Sequence, residues 1–199
     1  MIWEFILAAL LIELTPGPNM VYLAALSAQR GRRAGLLAIF GITLGLSMYL
    51  LLAVLGLGAA LATKPTALSV LKWSGVAYLF YLAWEAWSPK AEASPARITD
   101  LSPNHPIIRG LLANVLNVKA AIFYVALLPR FIAEAGPPFW LQVLGLGVIH
   151  LTIATAIHTG IVLAASRAHG LATKAKASST VRGGFALAIA ATALWLALT

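Results

Sequence analysis

Glu13-Leu14-Thr15-Pro16-Gly17-Pro18-Asn19 sits inside an apolar run from Ile2 to Ala28. A run of that length and apolarity is expected to be a helix across a bilayer. Its middle, however, carries a carboxylate, two prolines and a glycine. Each proline removes a backbone donor and clashes with the preceding turn, so no continuous α-helix is expected through residues 16–18. Broken backbone at membrane depth is tolerated only where protein or a water-filled cavity covers it. The stretch therefore predicts a broken first helix beside a polar cavity, an arrangement suited to moving a solute.

Composition agrees with a membrane setting. Of 199 residues, 61% are hydrophobic and only 10% charged, where a soluble domain would be about a quarter charged. Mean hydropathy is +0.90. The sequence reads as one all-α integral membrane domain over residues 1–199. With no cysteine, disulfides and thiolate metal sites are excluded. The net charge of +8 would suggest nucleic acid in a soluble protein, but here the positive residues fall between apolar spans and report topology. Met-Ile-Trp-Glu at the start has no positive n-region, and the following apolar run exceeds a signal peptide, so it is expected to be a retained span.

Six transmembrane helices are expected, over about 2–28, 35–61, 67–87, 110–128, 139–165 and 183–198. A polar loop, Ser88 to Arg109, separates the third and fourth, and a basic loop, Ser166 to Arg182, the fifth and sixth. The loops after spans 1, 3 and 5 hold ten Lys and Arg residues; those after spans 2 and 4 hold only Lys64 and Arg130. By the positive-inside rule the odd loops are cytoplasmic and both termini face outside. Trp3, Trp84 and Trp87 fit interfacial anchoring. Gly41 and Gly45 form a GxxxG in span 2, read as close helix packing.

Spans 1–3 and 4–6 each begin with a span carrying a mid-depth charge and continue with a glycine-containing, charge-free one. Three spans per half places the second half upside down relative to the first. The expected plan is a 3+3 inverted repeat, with repeat 1 about 1–88, a cytoplasmic loop 89–108 and repeat 2 about 109–199, and with the site at mid-membrane.

Two ionisable side chains lie deep by this count, Glu13 in span 1 and Lys119 in span 4. A charge at the bilayer centre costs about 2.5–3.5 kcal/mol on insertion scales. Equivalent positions in the two halves allow the pair to face each other. They then either form a buried salt bridge, which adds little net stability, or bind a zwitterion and relay a proton. The half-helix beginning near Asn19 offers free N–H groups and a positive dipole end to a carboxylate, with Thr15 and Asn19 completing hydrogen bonds around Pro16-Gly17-Pro18. In span 4, Asn114 and Asn117 share a helix face. Lys119 points elsewhere unless the backbone is distorted or its long stem reaches around. In span 5, His150 and His158 are eight apart on one face. Either could shuttle protons or serve as a neutral hydrogen-bonding residue between helices, with His158 placed nearer the cytoplasmic end. Ligands for a metal do not cluster, and no nucleophile–base pair or cofactor motif points to an enzyme.

Thr15-Pro16-Gly17-Pro18-Asn19, then Lys72-Trp73-Ser74-Gly75-Val76-Ala77-Tyr78-Leu79, then Gly110, Asn114, Asn117, Lys119, Pro129 and Phe131 resemble, in that order, the motifs of the LysE/RhtB family of bacterial amino-acid exporters. The resemblance covers essentially the whole chain. Many members have Asn-Pro-Lys where this chain has Asn117-Val118-Lys119, which looks more like the cysteine/O-acetylserine exporter branch. The valine leaves the span 4 helix free to continue. The resemblance implies export of a small amino acid or derivative across the bacterial inner membrane, coupled to protons.

The expected substrate-binding residues are Thr15, Pro16, Gly17, Pro18, Asn19, Asn114, Asn117 and Lys119, and the expected proton-coupling residues are Glu13 and His150. No cofactor is expected. The expected partners are a zwitterionic amino acid or derivative, protons and the lipid bilayer, with a homodimer left open and no nucleic acid. The alternative is a transporter of the same fold for another small solute, such as a metal or organic cation.

Overall fold

A computed structural model describes residues 2–56, 65–87, 105–172 and 178–198. All regular structure among these residues is helical: α1 (Ile2–Leu14), α2 (Pro18–Val54), α3 (Pro65–Trp87), α4 (Pro106–Val115), α5 (Val118–Ile122), α6 (Phe139–Ala172) and α7 (Ser178–Leu198). Between α5 and α6 lie a π-helical turn, Phe123–Leu127, and a 3-10 turn, Leu128–Phe131. α2, α3 and α4 each open on a proline. At a first helical position the missing N–H costs nothing and the fixed φ favours the helix.

The first break falls where the prolines put it, between α1 and α2. The separation of spans 1 and 2 differs from expectation. Residues 18–54 form one helical run, interrupted only at Gly31 (φ 79, ψ 178). That conformation is essentially reserved for glycine. An unbroken helix of this length would measure about 55 Å, well beyond a hydrocarbon core of about 30 Å. The kink among Arg30, Arg32 and Arg33 takes the place of the expected loop.

Other boundaries also shift. α4 starts at Pro106, so residues 106–109 are helical rather than loop, and α6 runs on to Ala172, into the first part of the expected basic loop. α7 starts at Ser178, five residues before the expected start of span 6. Lys64 and the loop prolines Pro89, Pro95 and Pro103 lie outside the described residues. Among the described residues, Pro18–Val54 and Phe139–Arg167 are each long and apolar enough to cross a membrane, and Pro106–Val115 with Val118–Phe131 qualifies as one bent span.

α2 is the hub, packing against α4, α6 and α7, while α3 packs chiefly on α7. α1 lies on α6, and its Phe5 ring packs against Phe123 and Phe131 at 5.9 and 5.3 Å. The closest approach joins α2 and α4. A Cβ on Gly41 would overlap the Ile107 carbonyl, and one on Gly110 the Ala38 carbonyl. Gly45, the second glycine of the GxxxG, faces the Asn114 side chain. Small residues thus allow backbone to touch backbone at this crossing. Outward, Leu7, Leu11, Leu44, Leu51, Trp84 and Trp195 are exposed, as suits a lipid-facing surface.

Candidate functional site

The site forms where two helix breaks meet. α1 ends one residue after Glu13. Thr15 closes it, its N–H donating to the Leu11 and Ile12 carbonyls and its Oγ1 to the Leu11 carbonyl at 2.8 Å. Gly17 then caps α2 in an extended conformation with no side-chain hydrogen bond. The N–H groups of Met20 and Val21 turn back to the Gly17 carbonyl at 3.0 and 3.2 Å. Among the described bonds none uses the N–H of Gly17 or Asn19. These are the open donors that a helix start leaves behind.

The second break overturns an expectation. Span 4 does not continue through Val118: its two parts, α4 and the stretch from Val118 to Phe131, differ in direction by 52°. The break is made without proline. Asn117, extended at φ −86 and ψ 104, caps α5, its Oδ1 accepting the Lys119 N–H at 3.0 Å. Asparagine competes well for this task because its side chain replaces a missing backbone acceptor. Tyr49 stabilises the other side, donating its hydroxyl to the Val115 carbonyl at 2.6 Å. Asn114 and Asn117 therefore do not share the face of one regular helix. Of the two explanations for Lys119, backbone distortion is the one observed.

Both breaks open on one pocket, lined by Glu13, Gly17, Asn19, Met20, Leu46, Asn114, Asn117, Lys119, Ala120 and His158, with ≈ 310 Å³ of empty space counting its mouth. Asn19 Nδ2 donates to Asn114 Oδ1 at 2.8 Å. The remaining amide atoms, Asn19 Oδ1 and Asn114 Nδ2, are buried with no hydrogen-bond partner among the described residues. One is an acceptor and the other a donor, and buried polar groups left open in this way call for an explanation.

Glu13 and Lys119 meet in the pocket without pairing directly among the described contacts. Lys119 Nζ donates to the Thr15 carbonyl at 2.9 Å. Glu13 instead faces two histidines: Oε1 lies 3.3 Å from His150 Nε2, and Oε2 lies 3.7 Å from His158 Nε2. His150 is fixed from behind, its Nδ1 3.1 Å from the Tyr124 hydroxyl and its ring stacked on Phe123 at 3.7 Å. The π-helical turn positions both aromatic residues; such turns often mark functional sites.

Of the residues singled out from sequence, Glu13, Gly17, Asn19, Asn114, Asn117 and Lys119 line the pocket. Pro18 is buried at the start of α2, and Thr15 and Pro16 are exposed at the break. His150 is buried behind Glu13 and is not a lining residue. His158, expected nearer the cytoplasmic end, is a lining residue. The eight-residue spacing did place both histidines on one face of α6, where both meet the Glu13 carboxylate. Nothing in the spacing said which helix that face would meet. Among the described residues no group of three or more His, Cys, Asp or Glu could hold a metal ion.

Residues 10–199 match the family model described as LysE type translocator. The chain is 34% identical to an uncharacterised membrane protein of Pseudomonas aeruginosa, over 82% of this chain and 81% of that one. It is 28% identical to a homoserine/homoserine lactone efflux protein of Salmonella typhimurium, over 83% and 80%. It is 30% identical to a leucine efflux protein of Enterobacter, over 65% and 63%. No solved structure matches the chain.

Proposed function

This chain belongs to the LysE type translocator family, and from that premise we propose that it exports a small amino acid or close derivative across the bacterial inner membrane by alternating access, driven by protons moving inward. The observation that carries the proposal is the meeting of two broken helices at a pocket holding both a carboxylate, Glu13, and an amine, Lys119. A zwitterion needs both charges. Its carboxylate goes to Lys119, to the open N–H groups at Gly17 and Asn19 and to the span 4 asparagines. Its ammonium goes to Glu13. The unpaired Asn19 Oδ1 and Asn114 Nδ2 supply a further acceptor and donor once the pocket opens. Relatives named for homoserine and leucine efflux support an amino-acid substrate.

On this reading the chain has six spans in a 3+3 inverted repeat, with both termini periplasmic. The broken helix at 15–17 has its counterpart at 116–117. The pairing of α2 with α6 and of α3 with α7 is what two inverted halves produce when equivalent spans pack together.

The test is efflux from proteoliposomes preloaded with labelled amino acids, leucine and homoserine first, with and without an imposed pH gradient. Saturable efflux accelerated by outside acid is expected. Efflux no faster than from protein-free vesicles across the panel would sink the proposal.

A further inference from the structure

Glu13 has two imidazole neighbours in different situations. His150 is built in: it touches Oε1, holds the Tyr124 hydroxyl and stacks on Phe123, outside the pocket wall. His158 belongs to the wall, and its Nε2 stands 3.7 Å from Oε2, too far for a formed hydrogen bond. The other groups around the carboxylate are Lys119 from α5, whose amine is held by the Thr15 carbonyl, and the neutral Asn19 and Asn114 from α2 and α4, which are bonded to each other. Oε2 is thus the carboxylate oxygen turned toward the pocket, and His158 is the cationic candidate able to occupy it when no substrate is there.

We propose that His158 couples transport to protons by taking turns with the substrate ammonium on the Glu13 Oε2 oxygen. This rests on the exporter reading above. In the empty carrier a proton is shared between the Glu13 carboxylate and the His158 imidazole, drawing them together. An arriving ammonium takes the same oxygen, His158 swings back, and the proton leaves to water on the side to which the pocket is open. The pair therefore carries either one proton or one ammonium. That gives exchange of proton for substrate with no separate proton path. His150 is a positioning residue: it keeps Oε1 occupied so that only Oε2 is contested.

The experiment is exchange of labelled leucine or homoserine at equal internal and external pH. In the wild type the half-saturating concentration is expected to rise as pH falls and the Glu13–His158 pair takes up its proton. In His158→Gln that rise is expected to shift down by about one pH unit or more, the size of a neighbouring charge's effect. In His150→Gln affinity is expected to fall at every pH with the pH midpoint kept. A His158→Gln profile that overlays the wild type overturns the proposal, and so does wild-type exchange without any pH dependence. Complete absence of wild-type exchange overturns the exporter reading first. Should His158→Gln fail to fold, the purified wild type decides: adding substrate in weak buffer must release protons, and no release counts against the proposal.

Discussion

The two helix breaks do the same job by different chemistry. At the first, Gly17 is the cap, Pro18 the first helical residue and Asn19 the second. At the other, Asn117, Val118 and Lys119 hold those three positions. The first break is enforced by residues that cannot continue a helix, and its cap has no side chain, so its N–H groups stay open. The second is enforced by a side chain that consumes an N–H, Oδ1 of Asn117 on Lys119. One break is left available to a ligand, and the other is closed internally so that it presents the Lys119 amine instead. On the exporter reading proposed above, this inequality is what a zwitterion would use.

The largest effect should come from removing the charges set at the breaks. Glu13→Gln and Lys119→Ala are each expected to abolish measurable efflux while the protein still inserts and purifies. For the buried Glu13, which faces two histidines, truncating one partner of such an interaction costs about 2–5 kcal/mol. Efflux assays beside detergent size-exclusion profiles check this, and wild-type rates in either variant would remove these residues from the mechanism.

Asn117→Ala tests the closed break. Losing the cap should destabilise by about 1 kcal/mol, read as a lower melting temperature, with efflux falling as Lys119 loses its placement.

Gly17→Ser asks the opposite question. The backbone there is extended, and a Cβ would make only ordinary contact with Lys119 Cδ at 3.5 Å. A serine can therefore cap α2 and occupy an open N–H. A melting temperature raised by the equivalent of about 0.3 kcal/mol, the few tenths that separate a serine cap from a glycine one, is expected, together with weaker substrate binding. Unchanged affinity would mean that those donors do not meet the substrate.

The smallest effect belongs to Val118→Pro. Val118 occupies a first helical position, its N–H makes no described hydrogen bond, and the residue before it is already extended. Proline suits all three conditions. Stability within about 0.5 kcal/mol of wild type is expected by thermal melting, and a collapse would show that the valine side chain, not the asparagine cap, sets the second break.

The contrast also explains what the sequence made legible. Pro16 and Pro18 announce a break from covalent geometry alone, so the first discontinuity and the carboxylate beside it could be read directly. Asn117 breaks its helix by a hydrogen bond that competes with continuation, and only the fold decides that competition. Lys119 and Glu13 were recognisable as costly at their depth. Their actual partners, the Thr15 carbonyl and two histidines, depend on which helix faces meet. Gly31, set between arginines, read as part of a loop, because sequence does not distinguish a single glycine hinge from several residues of turn. Tyr49 and Tyr124 gave no signal among the other aromatic residues of an apolar chain; their hydroxyls matter because α2 and the π-helical turn bring them to Val115 and His150.

The glycine crossing of α2 and α4 has a mechanical corollary. Gly41 lies against the Ile107 carbonyl and Gly110 against that of Ala38, so no compressible layer of side chains separates the two main chains there. Packed atoms of this kind resist sliding and shortening alike. If the pocket opens to one side and then the other, as proposed, this seam is the natural fulcrum, with the larger travel falling to helices far from it. A bulky residue at either glycine would act less like a damaged binding site than like a wedge driven into a hinge pin.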